Sequence, residues 1–300
     1  MPIDRPSPIA PARGARRDAS PGTIRVAILD LNNGHPNQGM RCLREILEAH
    51  DGRLGGASIL WDEFDVRGRG HVPGLDYDVY LSSGGPGSPF DGEGTAWEAT
   101  YFRWIDGVLA HNAGAEGSKK HVFFVCHSFE LLLRHLGLAR LELRRSESFG
   151  IFPVHPTEAG TRDVIFGGLG DPFYGADFRS WQAVEPDAAR LAELGASVLA
   201  IEKDRPHVGL ERALMAMRVT PELVGTQFHP EADPDGMLLH FREENRRATI
   251  VERHGEEKYA EILHHIMGPS FLERTHDCVL PNFLRDAACR LREAPMLEPA

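Results

Sequence analysis

Three residues have the types and settings that thiol chemistry needs: Cys126 and, about a hundred residues further on, His229 and Glu231. Cys126 follows the continuous apolar run 122–125 and precedes residues 129–133 and Leu136, where apolar side chains fall at helical spacing. No loop separates strand from helix, so Cys126 sits on a sharp turn at the carboxyl edge of a sheet. There the free N–H groups and positive dipole end of the next helix would lower a thiol pKa. Taken alone, this segment reads equally well as a buried Cys acting as a small hydrophobe. His229 falls just past the end of a short expected strand, 223–228, and Pro230 keeps it extended. Glu231 is two residues further on. An imidazole so placed can take a thiol proton, and a carboxylate on its other ring nitrogen can hold its tautomer. A turn histidine before proline is the plain alternative.

A further element could serve the same site. The expected strand at 77–81 leads straight into SSGGPGSP at 82–89. Consecutive Gly84 and Gly85 allow backbone conformations closed to other residues and let N–H groups approach a ligand. The segment is not a P-loop, since no Gly-Lys-Ser/Thr follows, and by itself it could be an ordinary turn.

These residues need a scaffold, and the first 140 residues provide its pattern. Strands are expected at 23–29, 58–66, 77–81 and 122–125. Helices are expected from about Pro36 to His50, over 95–109, and after Cys126. This alternation predicts a flavodoxin-like α/β fold, a doubly wound and mostly parallel sheet. Ligands then bind beyond the carboxyl ends of the strands, where the 32–39 loop, the 84–88 loop and Cys126 all converge. Short strands at 141–144, 149–154, 198–202, 213–219 and 223–228 predict an antiparallel part. Residues 1–22 carry five prolines, four arginines and little that is large and apolar, and read as a disordered tail. Residues 23–232 read as the main domain. Residues 233–300 read as a helical extension of three or four helices, which either pack on that domain or form a homodimer interface.

Composition narrows the functions. Lys+Arg total 33 against Asp+Glu 44, a net charge of −11 with no basic stripe, which argues against nucleic-acid binding. The four cysteines, Cys42, Cys126, Cys278 and Cys289, form no CxxC pair. His264-His265 has no partner spacing for a metal. Neither a disulfide framework nor a zinc site is expected, and a reducing, cytoplasmic setting is. No apolar run approaches the roughly 20 residues of a membrane span, and the N-terminus lacks the apolar core of a signal peptide. No cofactor is expected.

SGGPGSP at 83–89, a Cys on a strand-to-helix turn and QFHPE at 227–231 occur in this order, and together the chain resembles class I glutamine amidotransferase domains, particularly free-standing GMP-synthase-like ones. The resemblance covers roughly residues 24–232. It implies a Cys126–His229–Glu231 triad, an oxyanion hole from N–H groups near Gly84, Gly85 and at His127, and hydrolysis of a side-chain amide through a thioester with release of ammonia. There are departures. Phe124 and Ser128 stand where the family has small residues, typically glycine, and Glu130 stands where it commonly has Gln. Residues 146–150 and 179–184 match the family's glutamine-binding stretches poorly. Phe124-Val125-Cys126, Phe149-Gly150, the stretch 173–179 and 229–233 are similar to the homoserine transacylases, which share the fold.

Three functions follow. The first is an amidase or amidotransferase acting on glutamine or a related small amide. If it makes ammonia, either a separate synthetase consumes it or the enzyme is a plain amidase. The second is an acyltransferase to an amino-acid hydroxyl or amine, and the third a non-catalytic binding protein. Glu130 lies one helical turn beyond Cys126 and is expected to face the pocket mouth. Ionised there, it would oppose thiolate formation, repel a substrate carboxylate and attract a cation.

Overall fold

The computed structural model describes residues 22–293 apart from 36, 115–117, 205–208 and 269–270, and apart from the side chains of 240 and 246. In chain order the elements are β1 (Thr23–Asp30), α1 (Gln38–His50), β2 (Ser58–Asp65), α2 (Val66–Arg69), β3 (Val79–Ser82), α3 (Ala96–Gly114), β4 (His121–Val125) and α4 (His127–Leu136). There follow β5 (Ala139–Pro156), α5 (Glu158–Arg162), β6 (Phe173–Pro186), α6 (Ala188–Leu194), β7 (Ser197–Glu202), β8 (Leu214–Arg218) and β9 (Leu223–Thr226). The chain closes with α7 (Pro234–Arg242), α8 (Glu244–His254), α9 (Glu256–Met267) and α10 (Leu272–Glu293).

One sheet of nine strands runs β2-β1-β3-β4-β9-β8-β7-β5-β6. Pairings from β2 through β9 are parallel, and those from β9 to β6 are antiparallel. The mostly parallel α/β sheet with an antiparallel part is the expected fold class. The strands of the parallel part are buried on both faces. In β4, Phe123 and Val125 face a core shared with α1 and α10, while Val122 and Phe124 face a core shared with α3 and α4. Each such large side chain, once fully buried, contributes about 1.5–3 kcal/mol of hydrophobic stabilisation. The final helix is part of this layering. Val279, Leu280, Phe283 and Leu284 of α10 join α1 against the sheet, and Phe123 meets Phe283 edge-on at 5.2 Å. Helices α7 to α9 form a separate apolar cluster with β5 and β6.

Several boundaries differ from expectation for physical reasons. Helix α3 continues five residues past Leu109. Its end is secured by Asn112, which accepts from the Lys120 N–H at 2.7 Å and donates to the Lys120 carbonyl at 2.8 Å. Strands 141–144 and 149–154 are parts of one long β5 with a register shift between Leu143 and Ser148. Strand β6 has no counterpart among the expected strands. Its buried residues include Asp177 and Arg179, which pair with each other, and Gln182, which bonds Arg144 and Glu142, and these polar side chains hide the apolar alternation. Pro36 and the tail up to residue 21 lie outside the described residues. Among the described residues, no helix is long and apolar enough to cross a membrane.

Candidate active site

The turn between β4 and α4 is strained at Cys126, whose φ of 50° and ψ of −104° are rare for a residue with a Cβ. Such a conformation costs about 1–3 kcal/mol and persists only where neighbours over-determine it. They do so here. The Cys126 N–H donates to the Thr226 carbonyl of β9 at 2.7 Å. Ser128 Oγ accepts from the Val125 N–H at 2.9 Å and donates to the Ser82 carbonyl at 2.8 Å, tying the turn to β3. Phe124 also fits its place. It pairs in register with Gly225, where an added Cβ would lie 3.1 Å from Phe124 Cβ and 2.6 Å from Phe129 Cδ2. The absent side chain on β9 leaves room for the phenyl ring on β4.

His229 is pinned by its own backbone, its N–H donating to the Ala176 carbonyl of β6 at 2.8 Å. Its Nδ1 lies 2.7 Å from Oε1 of the buried Glu231, so the other ring nitrogen is the one left for the Cys126 thiol. Glu231 is held in turn at the first turn of α1. A Cβ on Gly39 would stand 2.9 Å from Glu231 Oε1, and the positive end of α1 favours the carboxylate there. Burial alone would lower the imidazole pKa, but Glu231 and the adjacent Cys126 overcome it, and His229 is raised well above its ordinary value. Burial pushes the Cys126 thiol up, while the charge and hydrogen bond of His229 oppose it, and Glu130 and Asp177 add to the rise. The net direction is upward, contrary to the lowering expected from the helix terminus. Desolvation outweighs the dipole, so a thiolate here depends on the proton passing to His229.

The predicted glycines flank this pair. A Cβ on Gly84 would meet His229 Cε1 at 2.8 Å and Cys126 Cβ at 3.6 Å. Gly85 lies against the residue that follows β1, where a Cβ would approach the Leu31 carbonyl oxygen to 2.4 Å. His127 opens α4, where backbone N–H groups lack partners within the helix. Its imidazole is buried, and its Nδ1 has no hydrogen-bond partner among the described residues. Burial, reinforced by Arg67, holds its pKa down at about 3, so the ring is neutral.

Glu130 differs from expectation. It is only 3% exposed and forms part of a cavity floor rather than a mouth. Gln227 Nε2 donates to Glu130 Oε1 at 3.0 Å and lies 3.8 Å from Cys126 Sγ. Burial raises the Glu130 carboxyl to about 7, against the opposing pull of Arg179 and the Gln227 hydrogen bond. Near neutral pH its charge is therefore partial and balanced by a cation, not a free carboxylate beside the thiol. Arg179 Nε donates to Asp177 at 2.8 and 3.1 Å, and Ser148 Oγ donates to the same carboxylate at 2.6 Å. Gln227 is visible in the sequence only as part of QFHPE, and its tie to Glu130 and this buried set does not stand out, although the poor matches at 146–150 and 179–184 mark the neighbourhood.

Two cavities meet at Cys126. One, of about 410 Å³, is lined by Gly85–Ser88, His127, Glu130, Phe178, Arg179 and Trp181. The other, of about 830 Å³, holds His229 and Glu231 and is walled by α7 and α8. All seven predicted site residues thus gather around one point at the carboxyl edge of the parallel strands.

No model of a known protein family matches the chain, and no curated protein sequence matches it. Solved structures do. A glutamine amidotransferase from Thermotoga maritima superposes with a TM-score of 0.62 at 15% identity, covering 88% of this chain and 98% of that one. A putative GMP synthase component from Thermoplasma acidophilum gives 0.51 at 16% identity, over 90% and 96% of the two chains. The glutaminase domain of Trypanosoma brucei CTPS, with bound acivicin, gives 0.55 at 11% identity, over 92% and 96%. The chain therefore has the fold of class I glutamine amidotransferase domains, as its motifs imply.

Proposed function

We propose that the protein is a cysteine-dependent amidase of the glutamine amidotransferase type, acting on a side-chain amide through a thioester at Cys126. The observation that carries this reading is the strained Cys126 facing a half-buried imidazole whose other nitrogen is held by Glu231 at 2.7 Å. A structural fold has no need of such a costly turn, and a nucleophile does. His229 takes the thiol proton, and the thiolate adds to the amide carbon. The N–H groups of His127 and of the Gly84-Gly85 segment stabilise the oxyanion. The C–N bond then breaks as His229 returns the proton to the leaving nitrogen. Water, deprotonated by the same imidazole, resolves the thioester to acid and free thiol.

Where the leaving group is ammonia, likeness to one component of a GMP synthase supports a separate partner that accepts it. The test is intact mass spectrometry of protein mixed with a panel of primary amides and thioester donors. An acyl adduct on Cys126, lost in Cys126→Ala, is expected. Its decay in water identifies hydrolysis, and decay only on adding an amine or hydroxyl acceptor identifies acyl transfer. No adduct from any donor would refute the reading.

A further inference from the structure

The two cavities at Cys126 are not equivalent, and the position of His229 says what each must hold. In thioester formation the leaving nitrogen takes its proton from the imidazole, so whatever that nitrogen carries departs on the His229 side of Sγ. The acyl chain must extend the other way, into the cavity of about 410 Å³ with Glu130, which His229 does not line. The His229 side opens into the larger groove of about 830 Å³. Ammonia needs about the volume of one water molecule, about 30 Å³. A groove of this size falls instead in the range of sites that enclose organic ligands.

Its walls have a definite chemistry. Phe149 and Phe178 meet edge-on at 5.1 Å, and Phe241 packs 5.9 and 5.8 Å from them. Met237 and Ile250, contributed by α7 and α8, complete the apolar surface. Phe178 stands 6.5 Å from the His229 ring, so this surface begins next to the proton donor. Of the carboxylates that line the groove, Glu231 is paired with His229, Asp233 with Arg41, and Glu147 lies 4.0 Å from His254, while Glu243 shares the rim with Arg253. The lining carboxylates are thus set beside cations or imidazoles and do not mark a charged subsite.

We infer that the substrate is a secondary amide whose nitrogen bears an uncharged apolar substituent of about the size of a benzyl group, seated in the groove that α7 and α8 close over His229. This rests on the thioester reading above and gives the C-terminal helices a role in specificity. The balance is that of an ordinary amide hydrolysis. Cys126 Sγ bonds the carbonyl carbon, the C–N bond breaks, and the nitrogen gains the thiol's proton through His229. The amine leaves, and water then yields the acid and restores the thiol. An aromatic substituent would meet the three phenyl rings in the edge-on contacts that aromatic side chains favour.

The test presents each of a panel of acyl groups, γ-glutamyl included, both as the primary amide and as the benzylamide. The two amines have similar basicity, so the leaving groups are comparable. Release of the common acid gives kcat/KM for each member of a pair. The benzylamide is expected to be preferred at least ten-fold in the best pair, since a well-filled apolar pocket discriminates about ten-fold or more per group. Thr249→Trp and, independently, Asn245→Trp place a large ring in the groove from exposed positions that bear no core contacts. Each should cut the benzylamide-to-primary-amide ratio at least ten-fold. Primary amides that react as well as or better than their benzylamides, or a ratio that neither substitution moves, would overturn the inference and leave the thioester reading intact. If no member of any pair acylates Cys126 by intact mass, the thioester reading itself falls, and this inference with it.

Discussion

Replacing Glu130 by Gln should stabilise the fold in a pH-dependent way. The carboxyl is buried in α4 beneath Cys126, and burial carries it from 4.5 to about 7. An acid raised in the folded state holds its proton more tightly there than in the unfolded chain. Stability is therefore full below about pH 4.5 and is lost as pH rises towards 7. At about 1.4 kcal/mol per tenfold change in proton affinity, the full cost of ionising the buried group is on the order of 3 kcal/mol. About 2–3 kcal/mol of this falls between pH 5 and pH 8. Gln keeps the shape, and its carbonyl can still accept from Gln227 Nε2, but it carries no charge to desolvate. Urea unfolding of wild type and Glu130→Gln at pH 5 and pH 8 gives the comparison, with the m-value confirming an unchanged transition. The variant should gain about 2–3 kcal/mol relative to wild type on going from pH 5 to pH 8. An equal difference at both pH values would mean that Glu130 is not titrating in the fold, and the account of a buried, partly neutral carboxyl would be wrong.

The same geometry makes further demands. Gly84→Ala would press a methyl group to 2.8 Å from His229 Cε1, and displacing the ring by even an ångström should lower kcat/KM about a hundredfold with little change in Tm. Cys126→Ala and His229→Ala should each abolish most turnover, with the double variant no worse than either single one, because the pair acts as a unit. A strongly additive double variant would refute that coupling. Glu231→Gln should cost less than His229→Ala, since it removes the orienting charge but not the proton acceptor. Under limiting iodoacetamide, peptide mapping should find Cys126 labelled well before the buried Cys42, whose thiol is raised by burial and bonded to Asp233 at 3.0 Å.

Much of the frame was legible because parallel strands buried on both faces write continuous apolar runs. Residues 122–125 are such a run, and the absence of a loop before α4 located the turn at Cys126 to the residue. His229 was located less directly, by the end of the short strand before it and by Pro230 after it. What escaped was written in polar residues. Asp177 and Arg179 point inward from β6 and pair with each other at 2.8 Å, so the strand lacks the alternation by which strands are recognised. Gln227 looks like a position within a familiar motif, and its bond to Glu130 could not be read from spacing, because 97 residues separate them. The burial of Glu130 is hidden for a related reason. A charged residue in a first helical turn reads as exposed, and only the neighbouring cation and amide make its burial tolerable.

The departures from the amidotransferase pattern divide by what surrounds them. Phe124 and Ser128 are both compensated locally. Gly225 on the neighbouring strand vacates the volume that the phenyl ring fills, and the Ser128 hydroxyl bridges Val125 and Ser82 where a glycine would leave those groups to other partners. Such matched changes preserve the turn at Cys126. Glu130 and Arg179 are different, since they alter the floor of the cavity into which an acyl group would extend. Their charges are set against each other and against Asp177 in a buried network, which is expensive unless every member is held. A site that only needed to keep its shape could have used apolar residues there. On the amidase reading proposed above, the changes around Cys126 keep the turn that the chemistry needs, while those at Glu130 and Arg179 speak for a different acyl group from the one the family's pattern would hold.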